Sequence, residues 1–300
     1  MTMNDPHAIL DFYARAIGMT DPGAHAAALH ALPNDLDSLV QVVQGLAIHE
    51  FVAAPMYGLQ VPEDRRYESH LRSTVSMLDR IGTIDPRPIS NARPPEHRLV
   101  GNCHHYAVLL LALLRSKGIP ARARWGFGAC FNPPYFEDHV NCEVWNAGES
   151  RWAFVEPQFD TQWTAQPGFD FDILDVPHDR FLIAGEAWTR CRRGEADPKL
   201  FGIFQGDLRG FWFIASSLVK DLAALNRVET LPWDIWGAMP QPGATLSAEQ
   251  FAYFDHLAEL TRDPDAHFEE VQHLFADDSG LQVPEVVFNA VRQRPEALWA

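Results

Sequence analysis

The sequence predicts an α+β fold on three observations. Apolar residues recur at helical spacing up to about residue 82. A helix at 103–117 then leads into strand-like text over 121–157 with a turn inside it, and helical text returns after Thr161. Helices, then a helix feeding a small antiparallel sheet, then helices again is the order of an α+β chain with helical regions on either side of its sheet.

The elements follow in turn. Asp35 stands as an N-cap before Leu36, Leu39, Val40, Val43, Leu46, Ala47 and Phe51, an apolar stripe of helical period that Pro55 and Gly58 close. His49 and Glu50 read as a surface pair on that helix. A second helix is expected over 64–81, with Tyr67, Leu71, Val75 and Leu78 inward. Four prolines, Pro86, Pro88, Pro94 and Pro95, make 82–95 a loop and a boundary. The helix at 103–117 has Gly118 where a left-handed terminal residue belongs, and Pro120 prevents its continuation. Strands are expected over 121–130, 138–145 and 151–157, the last two joined by the turn Asn146-Ala147-Gly148-Glu149. Beyond them, helices are expected at 179–193 and 210–226, with three shorter ones between 247 and 292. The aromatic loop 231–237, with Trp233 and Trp236, reads as core.

Composition narrows the function. With 47% hydrophobic residues in 300, the chain can bury a sizeable core. Its 24 basic and 40 acidic residues give a net charge of −16, a field that repels phosphate backbones and anionic lipid. Neither nucleic acid nor a membrane is an expected partner. Residues 1–17 carry Asp5 and Asp11 and no basic stretch, unlike a secretory signal. The longest apolar run, 106–114, is far short of the roughly 20 residues of a spanning helix. Four cysteines without CxxC spacing are expected to be reduced thiols of a cytoplasmic protein, so one can serve as a nucleophile.

Cys103 is the candidate nucleophile. It falls at the first turn of its helix, where unpaired N–H groups and the dipole favour negative charge. Its partner base is His139, at the start of a strand on which His139, Asn141, Glu143 and Trp145 share one face. If Trp145 pairs with Trp152 around the turn, His139 falls opposite Gln158, and Glu156 and Asp160 become its diagonal neighbours. Either carboxylate can then hold the imidazole, whereas Asp138 points to the opposite face.

These residues resemble the core of the transglutaminase-like superfamily. The resemblance rests on the run 101–122, on Asp138-His139 with Glu143-Val144-Trp145, and on Trp152 through Val155-Glu156-Pro157. It is strongest over 98–160; more loosely, the whole chain resembles stand-alone bacterial transglutaminase-like proteins. The resemblance implies a papain-like fold with a Cys–His–Asp triad, in which Cys103 is the nucleophile and His139 the base. Glu156 stands where that family usually has Asp before Pro, with Asp160 as the alternative acid. His104 and His105 stand where the family often has arginine and aspartate. The implied organisation is a helical lead-in over 1–97, a catalytic core over 98–165 and a helical region over 166–300.

The implied chemistry is thiol-dependent acyl transfer or hydrolysis at an amide of a peptide, a protein or a small molecule, through a thioester. The Cys103 backbone N–H and the side chain of Asn102 are the oxyanion donors expected. The alternative is a catalytically silent fold that binds a partner. No cofactor is expected: no phosphate-binding glycine loop or EF-hand spacing occurs, and His104 and His105 would point about 100° apart on a helix, which disfavours zinc. Cys130, Cys142 and Cys191 read as packing thiols.

Overall fold

Asp35 caps its helix as expected, its Oδ1 accepting the Ser38 N–H at 2.8 Å. In this computed structural model, which describes residues 5–299, helix accounts for 43% and strand for 18% of the chain, so the mixed class holds. The chain forms two compact units, one chiefly of Asp11–Arg122 with Cys142–Val176, the other chiefly of Ala123–Asn141 with Pro177–Leu298.

In the first unit, the helix after Asp35 is Leu36–Leu46 and ends five residues before Phe51. Ala47–His49 is instead a short strand, parallel to Leu99–Gly101, with His49 paired to Gly101. Ala47 and Ile48 are wholly buried, and strand pairing satisfies the backbone there that a solvent-facing helix end would leave to water. Phe51, expected inward, is 72% exposed, and His49-Glu50 sits at the end of this strand rather than on a helix. The single helix expected over 64–81 is two pieces, a 3-10 segment Glu63–His70 and a helix Thr74–Ile84 restarted by Ser73, whose Oγ accepts the Ser76 N–H. The break has a physical cause. Glu68 turns inward to three partners, and Tyr67 turns out, 43% exposed, with the Arg80 guanidinium 5.6 Å from its ring.

The helix Cys103–Ser116 is the spine of this unit: every residue from Cys103 to Arg115 is buried. Its end is as read, with Gly118 at φ +71. Arg115, the charged group within this apolar run, donates its Nε to Ala121 O and its Nη1 to Thr20 Oγ1, both at 3.0 Å. The hairpin register is also as read. Trp145 pairs with Trp152, and the ladder continues to Cys142 opposite Val155. It stops there, since the strand ends at Val155 and the Glu156 N–H turns to Ile173 O at 2.8 Å; the expected continuation to Gln158 is not part of it.

In the second unit the strands run in the order Phe181–Ile183, the 123–132 part of Ala121–Asn132, the 135–141 part of Tyr135–Asn146, Phe201–Ile203, Leu208–Arg209. The sheet is not wholly antiparallel, because the Tyr135 strand and the Phe201 strand pair in parallel. The helix expected over 179–193 begins as the strand Phe181–Ile183 and becomes helical only at Ala184–Arg192. Phe211–Leu225 is the helix expected. Two helices, Ala248–Arg262 and Phe268–Asp277, stand where three were expected, followed by a hairpin of Val286–Asn289 and Arg294–Ala297. Burial alternates along Val286–Asn289, a period of two that an apolar stripe of helical period does not have. Trp236 is core, its Nε1 donating to Leu281 O at 3.2 Å.

Candidate functional site

Cys103 opens its helix, and the residues on either side set how it is held. Asn102 is the N-cap in extended conformation, its Oδ1 accepting the His104 N–H at 3.0 Å. The Asn102 N–H donates to His105 Nδ1 at 3.2 Å, which leaves the other ring nitrogen, Nε2, to donate to Glu68 O at 3.2 Å. Burial holds the His105 imidazole well below its ordinary range, so it stays neutral in this role. Gly101 makes the arrangement possible: a Cβ there would lie 2.6 Å from His105 Cγ. The two histidines after Cys103 are therefore capping and packing groups, with His104 Nε2 lying 3.4 Å from Arg72 O.

Two buried amide atoms in this unit have no hydrogen-bond partner, Asn102 Nδ2 and Gln158 Oε1. Asn102 is 2% exposed, and its Oδ1 is fixed by the cap, so Nδ2 is a donor held ready. The two candidate acids differ. Glu156 is 3% exposed, and its Oε1 accepts the Gln158 N–H at 2.9 Å. Asp160 caps the short helix Thr161–Thr164, accepting the Gln162 N–H at 2.9 Å, and its other oxygen lies 3.5 Å from Arg98 Nη1. Burial, and next the Asp160 carboxylate, push the Tyr57 hydroxyl up, so Tyr57 stays a phenol bonded to Asp160.

His139 belongs to the other unit, whereas Asn102, Cys103, Glu156 and Asp160 share the first. It is 3% exposed, its ring 4.9 Å from Phe131 and 6.1 Å from Phe181 between centroids. Neighbouring Asp138 keeps a buried Oδ1 without a partner, and burial pushes its carboxyl up to about 6, with Lys220 opposing the shift.

One group escaped the sequence reading, and a second was read there as a surface residue. The first is Glu68, fully buried. Its Oε1 accepts from Arg65 Nε and Arg80 Nε at 2.9 Å, and its Oε2 from the Val100 N–H at 2.9 Å, inside the strand that leads to Cys103. Its bonds to Arg80 and the Val100 N–H join residues distant in the chain and have no local sequence signature. The second is Glu50, whose backbone N–H donates to Gly101 O at 2.8 Å and whose Oε1 is buried without a partner. Burial pushes its carboxyl up to about 7, against a Ser69 hydrogen bond and the Arg66 charge. A carboxyl raised from 4.5 to about 7 on folding costs stability as pH climbs through that window, by up to about 3 kcal/mol once both states are ionised. Urea titrations are therefore expected to show E50Q gaining on the parent between pH 5 and pH 8 by about 2–3 kcal/mol. A constant difference would place the carboxyl in water.

Cys142 Sγ lies 3.8 Å from Ala107 O, and burial pushes Cys191 up to about 12. Among the described residues no group of three or more His, Cys, Asp or Glu is placed to hold a metal ion, the surface recess lined by His256, His267, Glu270 and His273 included. No helix among them is long and apolar enough to cross a membrane. Residues 64–157 match the family model described as the transglutaminase-like superfamily. No curated protein and no solved structure matches the chain.

Proposed function

Because residues 64–157 are a transglutaminase-like domain, of a superfamily whose members are typically cysteine-dependent enzymes of acyl transfer or hydrolysis, we propose that this chain is such an enzyme and acts on amides through a thioester. The observation that carries the reading is Cys103 as the first residue of a capped, buried helix within the matched segment. On this reading a papain-like core spans 98–165, the substrate is a peptide, a protein or a small amide, and the protein works in the cytoplasm. None of the four cysteines is joined in a disulfide, in keeping with that compartment.

Cys103 is the nucleophile and His139 its base. His139 takes the thiol proton, and the thiolate attacks the amide carbonyl, forming a C–S bond while the carbonyl oxygen takes the electron pair as an oxyanion. Asn102 Nδ2, a donor with no partner within the chain, stabilises that oxyanion. On collapse the C–N bond breaks, and the His139 imidazolium gives its proton to the departing amine. Water or a second amine then attacks the thioester, His139 takes its proton, the C–S bond breaks, and the imidazolium returns that proton to the departing sulfur to regenerate the thiol. Glu156 is the acid that orients His139. Asp160 is less suited, being committed to Tyr57, Arg98 and the Gln162 N–H.

Iodoacetamide labelling at pH 6, read by mass spectrometry, tests the reading. Cys103 is expected to react at least about tenfold ahead of Cys130, Cys142 and Cys191, and His139→Ala to remove that lead. Equal reactivity of all four would leave a silent fold.

A further inference from the structure

Asn102 and Glu50 are neighbours by strand register. The parallel pairing sets Ala47, Ile48 and His49 against Leu99, Val100 and Gly101, and the bond from the Glu50 N–H to Gly101 O continues it. One residue further, Glu50 stands against Asn102. Paired residues of parallel strands present their side chains to the same face. Each carries one buried polar atom with no partner, and the two are of opposite kind: Asn102 Nδ2 donates, Glu50 Oε1 accepts. The two together match a ligand group with one acceptor and one donor. A carboxamide or peptide group is such a ligand; an ester or a tertiary amide is not.

We propose that Glu50 is a specificity-determining residue that accepts the N–H of the scissile amide whose carbonyl oxygen is held by Asn102 Nδ2. The proposal rests on Cys103 being the nucleophile. Burial favours the protonated form of Glu50, against a Ser69 hydrogen bond and the Arg66 charge. In that state Oε1 is the carbonyl oxygen, an acceptor without charge. Near neutral pH the carboxyl is partly in this form, since burial raises it.

Three neutral alkylating probes separate the outcomes: iodoacetamide, its N,N-dimethyl derivative and methyl iodoacetate, each rate at Cys103 divided by its rate with a free thiol. The full chain is expected to prefer iodoacetamide by about tenfold over both others, the size of one well-made hydrogen bond. Glu50→Leu, which removes the acceptor, is expected to abolish the preference, and Glu50→Gln, which keeps an acceptor oxygen, to retain most of it. A normalised preference near one in the parent chain overturns the proposal, whether or not the Glu50→Leu variant folds. So does a preference that survives Glu50→Leu in a chain with the parent's circular dichroism. Failure of Cys103 to react ahead of the other three thiols with iodoacetamide would instead overturn the assignment of the nucleophile.

Discussion

Glu68→Ala is expected to cost about 3–5 kcal/mol of unfolding free energy, the price of breaking a buried ion pair by removing one partner. Glu68 has no exposed side-chain surface, and its partners Arg65 and Arg80 are 13% and 24% exposed, so two guanidinium groups would be left poorly solvated. The Val100 N–H would also lose its acceptor. Glu68→Gln offers little relief, because its amide NH2 would face donors that both carboxylate oxygens now satisfy. Urea denaturation at pH 7 measures the effect, and a loss below about 1 kcal/mol would show that the cluster is solvated. Since the Val100 strand feeds Asn102 and Cys103, Glu68→Ala should also blunt the labelling lead of Cys103 in the fraction that remains folded.

A loss of the same size is expected for Asp221→Ala in the other unit. Asp221 and Arg124 are 0% and 1% exposed, joined by two bonds, Nε to Oδ1 at 3.0 Å and Nη2 to Oδ2 at 2.9 Å. Oδ1 also accepts the Trp125 N–H at 2.8 Å, and Arg124 Nη2 donates to Thr261 O at 2.6 Å. Removing the carboxylate strands a buried cation, at about 3–5 kcal/mol. The paired change Arg124→Met with Asp221→Leu takes both charges out together and is expected to restore at least half of the loss. Additive losses in the double variant, read by urea denaturation, would show that the two charges act independently.

Parts of this architecture could be read from the chain because their signals are local. Gly118 and Pro120 announce the end of the Cys103 helix, and the 146–149 turn with its flanking tryptophans fixes the hairpin register to Cys142 opposite Val155. What could not be read is what distant residues decide. Ala47–His49 continues a helical apolar stripe and becomes a strand only because Leu99–Gly101 lies beside it. The 3-10 segment Glu63–His70 follows from Glu68 facing in, which depends on Arg80 and Val100. In the C-terminal region the two-residue strand Asp234–Ile235 pairs with Phe288–Asn289, far along the chain. Among the candidate site residues, the place of Cys103 at a helix start followed from helix-end rules, whereas the hydrogen-bond partners of Asn102, Glu156 and Asp160 have no local signal.

The close approach of His105 to Gly101 has a consequence for variation at this locus. The imidazole occupies the space a methyl group would need, and the same ring takes the Asn102 N–H. A single methyl at position 101 would push the ring away, release the asparagine and tilt the start of the helix. Position 101 should thus admit no replacement, although its backbone lies in an ordinary strand. An inactive allele there would mark displacement of a neighbour, with no lost chemistry of its own.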